Sequence, residues 1–549
     1  MVQDFLQLLP PLPLPAEMHA WDEAAIRLGL PEVLLMENAA REALAVMQTE
    51  FAPLKGKKVW LFMGSGNNGG DAVCLARHLL DAGTKPLIFH SKPLRCYQGA
   101  CGKHVRLART LGIPFVPLAR WDTLTAKSAH RPDILVDGLL GTGFTGPLRP
   151  DLHNAINHIN ALGQNIPVLA LDIPSGLDGL TGKPMPLAVQ ASHTVSFAAA
   201  KPGLLHPAAR CWTGQLHVRD IGIPAVIRAT KPCSVRLLDA HCLQALPPCP
   251  PDGHKYAYGH VLVLGGAYGM GGAAHLAALA ALRSGAGLVT AAAPATALAD
   301  IKGQCPEIIT LPLPVSEGLY WPDNIPTPLE SVLERVTALV LGPGMGSTGA
   351  EALLAALLAR KQRPPMVLDA DGLRMLAKHP HLIPLLTAQD VLTPHPGEAA
   401  ALLGCDSAAV QEDRPGALQS LCRLSKAVVV LKGAGTLVGQ AGQPWLLCPY
   451  DLPGLAVAGS GDVLAGCIGA LLGRLERKAH ASSTQKTQTA LIAAALGVSL
   501  HALAGLELAK KYPRGHLASE LADQLPQVWA SQASPLTIYQ EILPWPPCC

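Results

Sequence analysis

VWLFMGSGNNGGDAVCLARHLLDA (Val59–Ala82) decides the fold class. Val59–Met63 is an unbroken apolar run, and such a run reads as a strand buried on both faces, because a strand with one wet face would alternate. GSGNNGGD (Gly64–Asp71) follows it, and Ala72–Ala82 then has the spacing of an amphipathic helix. Strand, glycine-rich turn and helix form the repeating unit of parallel sheets covered on both sides. The alternation continues along the chain. Leu87–Phe89, Ile134–Val136 and Val168–Leu171 read as further strands of a first half, with Gly102–Leu111 among its helices. Val261–Leu264, Leu288–Ala291, Ala338–Leu341, Met366–Leu368 and Val428–Leu431 read as strands of a second. Between the halves, LQALPPCPPDGH (Leu243–His254) carries four prolines in twelve residues, which sets a join between about residues 230 and 254. Ser534–Cys549, with its PWPP, reads as an irregular extension.

Composition narrows the function classes. At roughly 150 residues per domain, 549 residues suggest two to four domains. Hydrophobic residues make up 49% and charged residues 15%, enough apolar material for large cores and far from a disordered composition. The 53 glycines keep no three-residue period, which excludes collagen. Aromatics at 4% argue against stacking platforms for sugars or single-stranded nucleic acid. A formal charge of +3 with no long basic run gives no support for a nucleic-acid or anionic-membrane partner. The 14 cysteines are scattered without a CxxC and read as reduced thiols filling apolar space. MVQDFLQLLPPLPLPAEM has no basic region and four prolines, unlike a secretory signal. No run of about 18 apolar residues free of charges and helix breakers stands out. A cytoplasmic protein without a membrane span is expected.

In an open parallel sheet, ligands bind beyond the carboxyl ends of the strands. In the first half three strand ends are polar: GSGNNGGD after Val59–Met63, Asp137 with GLLGTGFTGP (Gly138–Pro147) after Ile134–Val136, and Asp172 with IPSGLDG (Ile173–Gly179) after Val168–Leu171. Glycines allow close backbone approach, and free N–H groups at a helix start favour phosphate. Each feature alone has a bland reading: a glycine turn, or an aspartate capping a turn. Their convergence argues for a site.

These motifs, preceded by LLMENAAREA (Leu34–Ala43), resemble the NAD(P)H-hydrate epimerase family over about residues 14–228. The resemblance implies a Rossmann-like three-layer domain and a K+ ion held by Asn68, Asp137 and Ser175. It implies substrate contacts from Asn67, Asn68, Gly69, Gly70 and Asp71, from Gly141, Thr142, Gly143, Phe144, Thr145, Gly146 and Pro147, and from Asp172. The substrate would be hydrated NADH or NADPH (NADHX, NADPHX). Its hydroxyl-bearing C6 is part of a hemiaminal, so inverting it requires proton transfer at the oxygen, and Asp172 is the candidate for that step. Asn38 either helps shape the site or makes a polar contact between helices.

AGSGDVLAGCIGALLGRL (Ala458–Leu475) is the strongest signal of the second half. From Asp462 onward it reads as a helix, placing Gly459–Gly461 at the positive end of the helix dipole as an anion hole. A carboxylate beside a phosphate hole suits a base that deprotonates a hydroxyl attacking a phosphoryl group; a Gly-Ser-Gly turn with an acidic residue complementing the dipole is the plain alternative. LVLGPGMGS (Leu339–Ser347), LDADGL (Leu368–Leu373), VLTPHPGEAALLG (Val391–Gly404), VVLKGAGTLV (Val429–Val438) and GGAYGMGGAAHLAALAALRSGAGLV (Gly265–Val289) accompany it. The set resembles the ribokinase-like ADP/ATP-dependent NAD(P)H-hydrate dehydratase family over about residues 235–530.

That resemblance implies a ribokinase-like three-layer domain with ADP or ATP against Lys432, Gly433, Ala434, Gly435, Thr436 and Gly461, and Mg2+ accompanying the nucleotide. It implies hydrate contacts from Ala273, Gly344, Gly346, His395 and Asp462, with Asp462 taking the hydroxyl proton. His395 either orients substrate or makes only a turn contact, and Lys432 either neutralises phosphate or is a solvated strand-end lysine. Where the family has Asn-x-Gly-Met-Ala, this chain has Leu452-Pro453-Gly454-Leu455-Ala456, and Ala458 replaces the first glycine of the anion hole. The whole reads as an α/β fusion whose halves epimerise and dehydrate hydrated NAD(P)H, self-associated as a homo-oligomer. A vitamin-precursor kinase with an accessory first half, or a first half serving only as a binding or dimerisation module, are the competing readings.

Overall fold

The computed structural model describes residues 2–121, 131–144, 146–246, 252–303, 305–314, 321–346, 349–478 and 483–531. The chain divides into two compact units, Pro11–Val235, and Arg236 onward with the segment that ends at Pro10.

Among the described residues, the first unit holds a seven-stranded sheet of β1 (Lys58–Met63), β2 (Lys85–His90), β3 (Phe115–Pro117), β4 (Ile134–Gly138), β5 (Val168–Leu171), β6 (His193–Phe197) and β7 (Gln215–Arg219), in the order β3-β2-β1-β4-β5-β6-β7. Every pairing is parallel. Val59, Leu61 and Met63 face the helices Glu32–Glu50 and Asn67–Asp81, while Trp60 and Phe62 pack with Phe89, Trp121 and the helix Pro150–Gly163 on the other side. This is the expected three-layer α/β arrangement, and two-sided burial is why the β1 run is continuously apolar. β3, β6 and β7 escape the sequence reading because FVP is short and HTVSF and QLHVR carry polar residues.

Strand order reverses between β1 and β4, which opens a crevice there. The glycine loops after these two strands meet backbone to backbone. A Cβ on Gly64 would lie 1.7 Å from the Leu139 carbonyl oxygen, so only glycine fits.

The second unit's sheet runs β11-β10-β9-β12-β13-β14-β15-β16-β17-β8 among the described residues. Its strands are β8 (Val235–Leu237), β9 (His260–Leu264), β10 (Leu288–Pro294), β11 (Ile309–Leu313), β12 (Ala338–Leu341), β13 (Met366–Leu368), β14 (Val391–Leu392), β15 (Val428–Leu431), β16 (Leu437–Gly439) and β17 (Trp445–Leu447). From β11 through β15 the pairs are parallel, and order reverses between β9 and β12. β16 and β17 add antiparallel. The Lys432–Thr436 connection is too short for the crossover a parallel pair needs, so the chain turns straight back.

Two sequence expectations change. The anion-hole helix spans Ser460–Lys478, so Gly461 lies in its first turn rather than before it. An apolar stretch does run long enough to cross a membrane: Thr489–Lys511, within the helix Ser483–Lys511, has mean hydropathy 1.8 and is 89% buried inside the protein. Gly497 does not break this helix; it lets the helix approach its neighbour, since a Cβ there would lie 2.5 Å from Ile468 Cγ1. The Ser534–Cys549 extension lies outside the described residues.

Candidate functional site

In the first unit, the carboxyl ends of β1, β4 and β5 open into a cavity of about 460 Å³. Asn67, Asn68, Asp71, Gly141, Thr142, Gly143, Phe144 and Asp172 line it, joined by Asp22, Glu32 and apolar groups that include Met18, Leu35 and Ile221. Gly69 and Gly70 do not. A Cβ on Gly69 would strike the Gly64 carbonyl oxygen at 2.2 Å and one on Gly70 the Met36 methyl at 2.4 Å, so Gly69 lets its helix close on the loop after β1 and Gly70 lets it pack on the helix Glu32–Glu50. Gly146 and Pro147 also lie outside the lining, and Thr145 is outside the described residues. Asn38 donates from Nδ2 at 2.8 Å to the carbonyl of Ile221, a loop residue that itself lines the cavity.

Beneath the lining, Asp137 and Ser175 are fully buried. The Ser175 amide donates to Asp137 Oδ2 at 2.8 Å and its hydroxyl to Oδ1 at 2.6 Å. The Asn68 amide nitrogen donates to the Leu140 and Leu171 carbonyls, which leaves Asn68 Oδ1 buried without a partner. Burial raises the Asp137 carboxyl to about 6 despite those donors, and no ion pair to it occurs among the described residues. An orphaned amide oxygen, a hydroxyl and a carboxylate lacking a countercharge form a set of hard oxygen donors suited to an alkali cation.

Asp172 stands at the end of β5 with φ +62°, a left-handed conformation a non-glycine residue adopts at a cost and that concentrates at active sites. Its carboxylate pairs with the ammonium of Lys201, which is completely buried and also donates to Ser196 Oγ at 3.0 Å and the Phe197 carbonyl at 3.1 Å. The sequence reading missed Lys201. The signal was FAAAKPG (Phe197–Gly203), a lysine shortly after a strand that was itself unread.

The second unit gathers its polar groups where β12 to β15 end. Lys432 Nζ lies 2.6 Å from Asp369 Oδ1 and 4.0 Å from Glu398 Oε2, with 19% of its side chain exposed, so it is no solvated lysine. Thr393 Oγ1 holds the same Asp369 oxygen at 2.8 Å, and Ala370 next to it takes φ +46°. Gly461 abuts this pair: a Cβ there would lie 3.3 Å from Lys432 Nζ. Asp462 makes no hydrogen bond among the described residues, and burial followed by the charge of Asp369 raises its carboxyl to about 7, with Lys432 opposing. Gly346 donates to Asp371 Oδ2 at 2.8 Å, and Gly344 packs on Met270 and Ala273. Asp369, Asp371 and Glu398 were quoted within motifs but given no role. Only the tertiary structure shows that they surround Lys432 and Asp462.

His395 caps the helix Pro396–Leu403, its Nδ1 accepting from the Gly397 amide at 3.0 Å and the Glu398 amide at 3.3 Å. Burial, then Lys432, lowers its pKa below the ordinary histidine value, and its Nε2 lies 3.3 Å from Glu398 Oε1. The lysine-glycine loop is fixed from behind by buried Arg414, whose Nη2 donates to the carbonyls of Leu431, Lys432 and Gly435. Gly433 and Ala434 are left exposed.

Residues 261–527 match the family described as NAD(P)H-hydrate dehydratase, and residues 32–203 the family described as YjeF-related protein N-terminus. A bifunctional NAD(P)H-hydrate repair enzyme of Moorella thermoacetica is 37% identical over 519 residues, covering 93% of this chain and 95% of the relative. Its counterpart in Salinibacter ruber is 35% identical, covering 96% and 97%. The solved ADP/ATP-dependent NAD(P)H-hydrate dehydratase of Bacillus subtilis, crystallised with ATP and Mg2+, is 25% identical with a TM-score of 0.41, covering 54% of this chain and 98% of that one.

Proposed function

The chain belongs to the bifunctional NAD(P)H-hydrate repair enzymes, and from that premise we propose how its residues divide the work. It is an isomerase and a lyase: it interconverts the R and S hydrates of NAD(P)H and dehydrates the S form at the expense of a nucleotide. Residues 14–228 carry the first activity and 235–530 the second.

In the first unit, Asp172 handles the proton of the C6 oxygen, with Lys201 fixing its carboxylate. Asn67, Asn68, Asp71 and the Gly141–Phe144 loop hold the hydrated nucleotide, and the open space around Gly66 and Gly143 leaves room for it. Asn68, Asp137 and Ser175 would hold K+, whose charge would offset Asp137 and fix the loops that carry the lining.

In the second unit, hydroxide is a poor leaving group and phosphate a good one. Transfer of a phosphoryl group from ADP or ATP to the C6 hydroxyl, then loss of phosphate from C6 together with a proton from C5, restores the double bond. Asp462 takes the hydroxyl proton; a free carboxylate with a pKa near 7 is matched to that task at neutral pH. The helix N-terminus at Gly461 and the Lys432 ammonium face the transferring phosphoryl group. The Lys432–Thr436 loop seats the nucleotide, whose phosphates would carry Mg2+ as a charge-neutralising ion, and Ala273, Gly344, Gly346 and His395 border the hydrate. ADP is the favoured donor and the protein a cytoplasmic homo-oligomer.

The observation that carries this reading is Asp462, an unpaired carboxylate in the first turn of a helix whose glycine abuts Lys432. The test supplies S-hydrate, Mg2+ and ADP or ATP and follows phosphate. Inorganic phosphate released together with reduced nicotinamide supports it; a stable phosphorylated product with no nicotinamide recovered would show a kinase.

A further inference from the structure

We propose that Asp22 is a second catalytic acid of the epimerase site, working across the cavity from Asp172; this deepens the epimerase reading above and rests on it.

Asp22 lies on the helix Pro15–Arg27, a segment the sequence reading left without a role. It lines the same cavity as Asp71 and Asp172, with Met18, Ile26, Met36, Ala39 and Ile221 forming apolar wall around them. Among the described residues its carboxyl has no hydrogen-bond or ion-pair partner. That sets it apart from Asp172, which is committed to Lys201 and the Phe197 amide, and from Asp137, which is locked to Ser175. A half-buried carboxyl with no partner of its own, open to a ligand cavity, is placed for contact with what binds there.

Its surroundings favour its protonated form over that of an ordinary aspartate. Desolvation comes first and the Asp172 carboxylate next in raising Asp22 to about 6. Lys201 and His19 oppose, Glu32 adds to the rise, and Asp71 faces the same space. The cavity therefore holds a carboxyl that keeps its proton to higher pH than an ordinary aspartate and a lysine-bound carboxylate, the pair of environments that separates acid from base.

Inversion at C6 needs both. The N1 lone pair expels the C6 oxygen, which leaves as water with the proton of Asp22, and a cation spread over N1 and C6 remains. Water adds to the opposite face and gives its proton to Asp172. One C–O bond breaks and one forms, with no oxidant or reductant. Asp22 is then ionised and Asp172 protonated, which is the state that runs the reverse reaction; exchange with solvent through the open cavity resets it.

The experiment follows conversion of purified R-hydrate to S-hydrate by chromatography, with K+ and without nucleotide, across pH 5 to 9. Wild type, Asp22→Asn and Asp22→Glu are compared, each also assayed for dehydration of S-hydrate as a check on folding. General acid catalysis sets the expected loss in Asp22→Asn at about 100-fold or more in kcat, with KM within about threefold. Asp22→Glu recovers part of the rate. The wild-type profile falls as pH rises through the acid's pKa, and the Asn variant loses that limb. A wild-type profile without the limb, or an Asn variant keeping a third or more of the rate, overturns the proposal. Should Asp22→Asn fail to fold, the wild-type limb and the Glu variant decide it. Wild type that converts no R-hydrate at all contradicts the epimerase reading itself.

Discussion

Asp462→Asn is expected to abolish dehydration and yet stabilise the protein at alkaline pH. The carboxyl is raised from 3.8 to about 7, chiefly by burial, so the folded state holds this proton more tightly than the unfolded state. Between those two values stability falls as pH rises, and the full cost is present above about pH 7. At about 1.4 kcal/mol per unit the shift amounts to roughly 4 kcal/mol. Solvent reaches this half-buried group, which leaves about 2 kcal/mol. Asparagine keeps the shape and removes the charge. It also forfeits a carboxylate in the first turn of a helix, worth about 0.5 kcal/mol, so burial wins. Melting at pH 8 should therefore rise by about 4 °C relative to wild type for a domain of this size, and the gain should shrink by about half at pH 5.5. A variant that melts below wild type at pH 8, or whose shift is the same at both pH values, refutes the claim that burial makes the charge at this position costly to the fold.

Three more substitutions probe the rest of the architecture. Gly64→Ala forces a Cβ to within 1.7 Å of the Leu139 carbonyl, and urea unfolding should show a loss of about 3 kcal/mol in the first unit as the two loops part. Lys201→Met leaves Asp172 without its ion pair, so epimerisation should fall at least about 100-fold and stability by about 3 kcal/mol, while dehydration of pure S-hydrate continues. Gly461→Ala places a methyl 3.3 Å from Lys432 Nζ, at the proposed phosphate position; steady-state kinetics should show KM for the nucleotide up by about tenfold, a loss of ~1.4 kcal/mol, with the melting temperature little changed.

Much of the fold was legible because its strands are buried on both faces. VWLFM and VVVL are readable as strands without any partner in view, since parallel sheets covered by helices demand unbroken apolar runs. Strands failed to announce themselves where the sheet thins or its edge is polar, as in β14 with two residues or β7 with Gln, His and Arg. The helix through Gly497 was obscured for another reason: glycine usually weakens a helix, and its use here for close approach depends on Ile468, far away in sequence. Site residues follow the same division. Asp137, Asp172 and Asp462 sit inside local motifs. Lys201 and Asp22 sit in segments with no motif, and only the fold brings Lys201 to Asp172 and Asp22 to the cavity that Asp172 lines. Gly69 and Gly70 show the converse, being part of a motif yet packed against the Gly64 backbone and the Met36 side chain.

The most direct measurement of the central claim is the absorbance of reduced nicotinamide regenerated from a mixture of both hydrate epimers, with K+, Mg2+ and ADP or ATP. Wild type is expected to recover both epimers, Asp172→Ala to stop after the S form, and Asp462→Ala to recover nothing. Wild type that regenerates no reduced nicotinamide with either nucleotide would contradict the account.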